Sequence, residues 1–179
     1  LNKPIGVIST CDDPYRRRTV LDLLPDSERN GLHPVGRLDL NSRGAILLTN
    51  HGQLTLQLTH PSYSHTKTYR VWIKGTPSKS SLTRWEEGVH LDNKLTKKAA
   101  VKLIRSAQNK SLLEIILTEG RNRQIRRTAE LLGHPVIDLQ RIAIGAISLT
   151  NLKEGNWRLL PKNEWNYLLG QTEISTNNV

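Results

Sequence analysis

The chain has 179 residues and sets 26 Lys and Arg against 16 Asp and Glu, a formal charge of +10 at pH 7. That length buries a core without metal or disulfide staples, and it suits one domain or one domain with two lobes. So positive a surface draws polyanions, which puts nucleic acid first among partner classes; a membrane partner is not expected, since no run approaches the roughly 20 apolar residues of a spanning helix.

Cys11 is the sole cysteine, so no intramolecular disulfide can form, and a reducing compartment, taken as cytoplasmic, is the simpler expectation. His33, His51, His60, His65, His90 and His134 form neither a helical i, i+4 pair nor a ligand cluster, and no metal is expected. The chain begins at Leu1 and has no methionine. A natural start further upstream is therefore expected, with room for a transit peptide, and so an organellar address, or for an extra module.

In chain order, Leu1 to Thr10 reads as a strand through the apolar run Pro4-Ile5-Gly6-Val7-Ile8. Asp12 to Arg18 reads as an exposed loop with a turn at Asp13-Pro14, and Arg16, Arg17 and Arg18 there suit phosphate contact about as well as they suit a solvated charge run. Thr19 to Leu24 allows one or two helical turns before Pro25. Gly44 to Asn50 is a strand, Asn50-His51-Gly52 a turn, and Gln53 to Leu58 fits either a strand or a short helix. Lys67 to Lys74 alternates cleanly, which turns Tyr69, Val71 and Ile73 inward and Arg70, Trp72 and Lys74 outward. Ser78 to Glu87 is a helix ended by Gly88; Lys98 to Ser106 and Ser111 to Thr118 are strands joined by a hairpin at Gln108-Asn109-Lys110. Asn122 to Leu132 is the clearest helix, with Ile125, Ala129 and Leu132 as its apolar stripe and Gly133-His134-Pro135 as its stop. Pro135 to Ile147 gives a strand pair, Trp157 to Leu160 a short strand, and Pro161 to Leu169 a closing helix with proline in its first turn. Residues 1–169 then form the domain, and residues 170–179 a polar, disordered tail. Strands outnumber helices without alternating with them, so the fold class is α+β on a large mixed, mainly antiparallel sheet flanked by helices.

Chemistry concentrates in His33-Pro34-Val35-Gly36-Arg37-Leu38-Asp39-Leu40-Asn41-Ser42-Arg43-Gly44, where a carboxylate stands in a glycine-punctuated turn ahead of an apolar run. An acid at the edge of a core must be paired or hydrogen-bonded, because desolvating a lone charge costs several kcal/mol. Arg37 is its nearest candidate partner, and a structural ion pair is the plainer reading of the segment alone. Two distant segments add to it. Tyr69 points inward, and the basic helix Gly120-Arg121-Asn122-Arg123-Gln124-Ile125-Arg126-Arg127 follows a buried strand. Arg126 sits at the edge of that helix's buried face, suited to pairing an internal carboxylate, while Arg123 and Arg127 face further out; Arg121, Arg123 and Arg127 suit phosphates.

Together, Asn2-Lys3-Pro4-x-Gly6-Val7, the run from Gly36 through Asp39 to Gly52, His60-Pro61, Lys67-x-Tyr69-x-Val71 and Glu119-Gly120-x-Asn122-Arg123-Gln124-Ile125-Arg126-Arg127 resemble the pseudouridine synthases that act on ribosomal RNA in bacteria and organelles. The likeness runs in register from Leu1 to about Leu169. It implies the pseudouridine synthase fold with a central catalytic cleft, and isomerisation of one uridine by a monomer that needs neither cofactor nor metal, acting on ribosomal RNA or a pre-ribosomal particle. It further implies that Asp39 is catalytic, that Tyr69 packs on the target base and is a candidate base for the carbon-5 proton, and that Arg126 pairs with Asp39. Arg37 would help hold the flipped nucleotide, and Arg16, Arg17, Arg18, Lys67, Arg121, Arg123 and Arg127 would contact RNA. Ser42, Ala45 and His51 depart from the usual pattern, at positions away from this chemistry.

The physical logic agrees. The base must leave its stack before the glycosidic bond can break, so a basic surface and a fitted pocket are needed. A guanidinium keeps a carboxylate ionised in a dry site, and stacking on an aromatic ring, typically worth about 1–3 kcal/mol per base, lets the freed uracil turn without escaping. Three roles suit Asp39: attack on the ribose, attack on carbon 6 of uracil, or removal of a ribose proton. A non-catalytic RNA-binding or ribosome-assembly protein explains the charge equally well but not Asp39, Tyr69 and Arg126 together. A metal-dependent nuclease would need further carboxylates, for which Asp12, Asp13 and Asp138 are candidates outside any metal motif.

Overall fold

A computed structural model describes residues 1–59 and 65–173, with side chains as far as Leu168 in the last helix. His60 and Pro61 of the family-like pattern lie outside the described residues. The chain divides into two compact units, Leu1–His65 with Ile142–Val179, and Thr66–Arg141.

The first unit begins with β1 (Asn2–Lys3), which pairs antiparallel with β3 (Arg43–Ala45). The expected strand over Leu1 to Thr10 stops at Lys3. Pro4 has no N–H to continue the ladder, and Gly6 turns the chain at φ +82. Thr19 to Leu24 contains one 3-10 turn, Leu21–Leu23. The strand expected over Gly44 to Asn50 is two strands in different sheets: β3 joins β1, whereas β4 (Leu47–Thr49) pairs with β2 (His33–Val35). Ile46 is the crossing point, and its N–H and carbonyl bond to the carbonyl and amino group of Leu1 at 3.0 and 3.1 Å. The ambiguous segment is helix α1 (Gly52–Thr59). Val35, Ala45, Leu47, Leu58, Ile144, Ile147, Leu149 and Leu168 form one core cluster, and Val7, Val20 and Ile46 a second.

The second unit carries β5 (Lys67–Lys74), which pairs residue for residue with β9 (Lys110–Leu117), and β9 pairs in turn with β8 (Ala100–Ala107). Val71, Ile73, Leu113 and Ile115 are fully buried on the inner face. The turn between β8 and β9 is Gln108-Asn109 at φ +29 and +62, the left-handed pair that a tight hairpin requires. Helix α2 (Lys79–Glu87) is capped by the Ser78 hydroxyl, which accepts the Ser81 N–H, and it buries Trp85. A small hairpin of β6 (His90–Leu91) and β7 (Lys94–Leu95) follows. Helix α3 (Gln124–Leu131) starts two residues later than the pattern suggests and buries Gln124, Ile125, Thr128 and Ala129. It ends as expected at Gly133 (φ +83), where the N–H groups of Gly133 and His134 bond to the carbonyls of Glu130 and Ala129 at 2.9 and 2.8 Å.

Strand β10 (Val136–Ile144) runs through both units. The strand order is β1-β3-β10 in the first and β10-β5-β9-β8 in the second, and β11 (Ile147–Ser148) folds back antiparallel on β10. The architecture is thus α+β, a mixed sheet with helices. Trp157 to Leu160 is irregular rather than a strand, pairing with no other strand among the described residues. Helix α4 (Lys162–Glu173) begins just after Pro161, whose carbonyl accepts the Glu164 and Trp165 N–H groups at 3.0 and 3.3 Å. It passes the Leu169 boundary suggested by the composition, and residues 174–179 lie outside the described residues. Among the described residues no helix is long and apolar enough to cross a membrane.

Candidate active site

Asp39 is placed by its neighbours. Gly36, at φ +71, turns the chain out of β2, and Leu38 is then buried. The buried Ser9 hydroxyl accepts the Leu38 N–H at 3.1 Å and donates to the Leu38 carbonyl at 3.0 Å, so one side chain satisfies both backbone groups of the preceding residue. On the other side, the Leu40 carbonyl accepts the Gly6 N–H at 2.9 Å, and the Asp39 carbonyl closes a turn with the Ser42 N–H at 3.0 Å. Asp39 itself is half-buried between these ties. The segment that holds them is fixed by Lys3, whose wholly buried ammonium donates to the carbonyls of Pro4 and Val7 at 2.9 and 2.7 Å. Burial of a charge is tolerable only with such partners. Arg37 is exposed.

Tyr69 and Lys67 share one face of β5. Tyr69 is 8% exposed and stands opposite Ile115 of β9, so the sheet presents its ring from a rigid strand. Burial, and then the positive charge of Arg141, lower the pKa of Lys67 below the ordinary lysine value. A site that already disfavours cationic charge gains most when an anion enters.

Arg126 rides on α3, whose start is organised by two polar residues. One carboxylate oxygen of Glu119 accepts from the Lys97 N–H at 2.9 Å and the Gln124 side-chain amide at 2.7 Å, and the other accepts from Arg121 Nε at 3.2 Å. The Gln124 amide oxygen accepts the Arg121 N–H at 3.2 Å. This knot lets Arg123 stand at the N-cap in the left-handed region, φ +49, and sets the rotation of the helix that carries Arg126. Sequence reasoning gave Glu119 and Gln124 no role. The available signal was an uncharged polar side chain immediately before Ile125, the first residue of the apolar stripe.

The arginines expected on RNA fall into two groups. Arg127 is half-buried rather than outward, forked onto Asp92 at 2.9 and 2.6 Å, and this guanidinium holds the Asp92 carboxyl below its usual range. Arg121 donates to the carbonyls of Lys94 and Leu95, so both side chains clamp the β6–β7 hairpin. Arg17 is likewise forked onto Asp13 at 3.0 and 2.6 Å. Arg16, Arg18, Arg37 and Arg123 are exposed, as Arg17 is despite its pairing. Among the described residues no cluster of three or more His, Cys, Asp or Glu could hold a metal ion.

Comparison with known proteins places these features in one family. The sequence model described as RNA pseudouridylate synthase matches residues 1–131, a span holding Asp39, Tyr69 and Arg126. Ribosomal large subunit pseudouridine synthase B of Bacillus subtilis is 39% identical over 166 residues, covering 92% of this chain and 68% of that protein. Ribosomal large subunit pseudouridine synthase E of Vibrio vulnificus is 35% identical over 171 residues, covering 88% of this chain and 72% of that protein. A crystal structure of a pseudouridylate synthase superposes with a TM-score of 0.85 at 29% identity, covering 94% of this chain and 71% of that one. The chain therefore spans about two thirds of the length of such relatives, and it belongs to the RNA pseudouridylate synthase family.

Proposed function

We propose that this chain, acting as a monomer, isomerises a uridine of ribosomal RNA to pseudouridine, with Asp39 as the reacting carboxylate, Tyr69 as the stacking ring and Arg126 as the guanidinium that keeps the carboxylate charged. The observation that carries the reading is the half-buried Asp39 turn, tied to the Gly6–Ser9 segment on both sides and lying inside the span the family shares. The relatives named for the large ribosomal subunit favour ribosomal RNA as substrate.

The reaction balances internally. The bond between ribose carbon 1′ and uracil N1 breaks, carbon 5 bonds to carbon 1′, carbon 5 loses its proton and N1 gains one. No electrons leave the nucleotide, so no redox cofactor is called for, and an ionised carboxylate can serve the bond-breaking step without a Lewis acid. The base must turn while held, and a strand-borne aromatic face suits that task. Arg16, Arg18 and Arg37, all exposed, are available to meet phosphates.

Tritium release from a ribosomal RNA transcript carrying 5-tritiated uridine tests the reading. Release is expected in the presence of EDTA, and Asp39→Asn is expected to abolish it while RNA affinity stays within a few-fold. Release at the wild-type rate by Asp39→Asn removes Asp39 from the chemistry. A wild-type protein that binds the transcript without releasing label points instead to a non-catalytic RNA-binding role.

A further inference from the structure

Tyr15 is 78% exposed in a loop that is otherwise held with unusual economy. The buried Asp13 carboxylate accepts from the N–H groups of Tyr15 and Arg17 at 3.1 and 2.9 Å and from the Arg17 guanidinium at 3.0 and 2.6 Å. The Asp13 carbonyl takes the N–H of Arg16, which sits in the left-handed region at φ +53. The loop's ends are fixed as well. Ile8 bonds to the Arg18 carbonyl and the Val20 N–H at 3.0 and 2.9 Å, and the Asp22 carboxylate takes the Thr19 N–H and hydroxyl at 2.7 and 3.0 Å. Ile8 precedes Ser9, the residue that brackets Leu38 beside Asp39. One segment therefore anchors both this loop and the Asp39 turn.

The charges are sorted by this arrangement. Asp13 is buried and paired, whereas Asp12 is exposed and accepts the Asp13 N–H at 2.8 Å; Arg17, though exposed, is tied to Asp13 and lies 5.2 Å from the Tyr15 ring centroid, and Arg16 and Arg18 are exposed beside it. A lone exposed aromatic is ordinary. One fixed by its own backbone N–H, backed by a guanidinium and flanked by two exposed arginines, is the composition of a single-strand stacking platform, with little ordering entropy left to lose on binding.

We propose that the Asp12–Arg18 loop is an RNA-binding site in which the Tyr15 ring stacks on an unpaired base near the target uridine, Arg16 and Arg18 contact the adjoining phosphates, and Arg17 acts as scaffold. The assignment rests on RNA being the substrate. It is tested by filter binding of a large-subunit ribosomal RNA transcript carrying 5-tritiated uridine, with tritium release read on the same samples. Tyr15→Ala is expected to weaken binding about tenfold, Tyr15→Phe to stay within about twofold, and both to leave the salt dependence and thermal midpoint unchanged. Binding by Tyr15→Ala within twofold of wild type overturns the proposal, as does equal weakening in Tyr15→Phe, which would mean a hydroxyl contact rather than stacking. If wild type turns over normally while Tyr15→Ala binds normally, only the loop assignment falls. A wild type that binds but does not turn over removes the enzymatic reading and leaves the tyrosine comparison decisive, and a wild type that does neither overturns both.

Discussion

Ser9 saturates the N–H and carbonyl of Leu38, and both residues are buried, so its hydroxyl is worth more than an average surface contact. In Ser9→Ala two backbone groups lose their partner where water enters poorly, a loss of about 1–3 kcal/mol. Urea unfolding is expected to show that loss, and tritium release to fall further than RNA affinity, because Asp39 loses its fixed place while the exposed arginines proposed to meet phosphates do not. The Asp13 carboxyl is pulled down to about 2, chiefly by its hydrogen bonds from the Arg17 side chain. A depressed acid contributes stability that is complete above its unfolded value near 4 and lost as the pH falls through about 2. The Tyr15 amide resonance is therefore expected to hold constant from neutral pH down to about 4 and to shift only below it. In Asp13→Asn that step is absent.

At the scale of elements, helix ends are the most constrained points. Gly88 ends α2 at φ +105, and a Cβ there would lie 2.5 Å from the Thr96 carbonyl oxygen. Gly88→Ala is expected to destabilise the fold by more than 2 kcal/mol, from backbone strain and the clash together, measured by denaturant unfolding. Gly133→Ala meets only the strain of φ +83, with no atom within 4 Å, and is expected to cost about 1 kcal/mol. The Gln108-Asn109 turn takes the left-handed pair with residues that tolerate it imperfectly, so Gln108→Asn with Asn109→Gly should raise stability by about 0.5–1 kcal/mol in the same assay.

For the whole molecule, a formal charge of +10 makes RNA affinity salt-dependent, but not every cation contributes. Neutralising Arg16 or Arg37 is expected to lower the slope of log affinity against log salt by about 1, with an unchanged melting temperature. Arg121→Ala and Arg127→Ala should do the reverse, since their guanidinium groups fasten the β6–β7 hairpin. Titrating a labelled ribosomal RNA fragment at several salt concentrations, beside thermal melts, separates the two sets.

Where alternation or a stop signal was strong, local physics and the fold agree: β5 occupies Lys67–Lys74 with Tyr69, Val71 and Ile73 inside, and α3 ends at Gly133. Those are choices a few neighbouring residues make, through side-chain period and the conformational freedom of glycine. The candidate site was legible to the extent that Asp39, Tyr69 and Arg126 each stand in a dense local pattern. The sequence could not show that the strand after Gly44 would change sheets at Ile46, or that the first strand would stop at Lys3. It also could not show that Ser9 would hold the Asp39 turn, or Glu119 and Gln124 the start of the helix that carries Arg126. Nor could it show which arginines would be tied to Asp13, to Asp92 or to the carbonyls of the β6–β7 hairpin. Those outcomes depend on which backbone groups and carboxylates arrive from residues up to tens of positions away, such as Leu38 to Ser9 or Asp92 to Arg127, and partners of that kind exist only once the chain has folded.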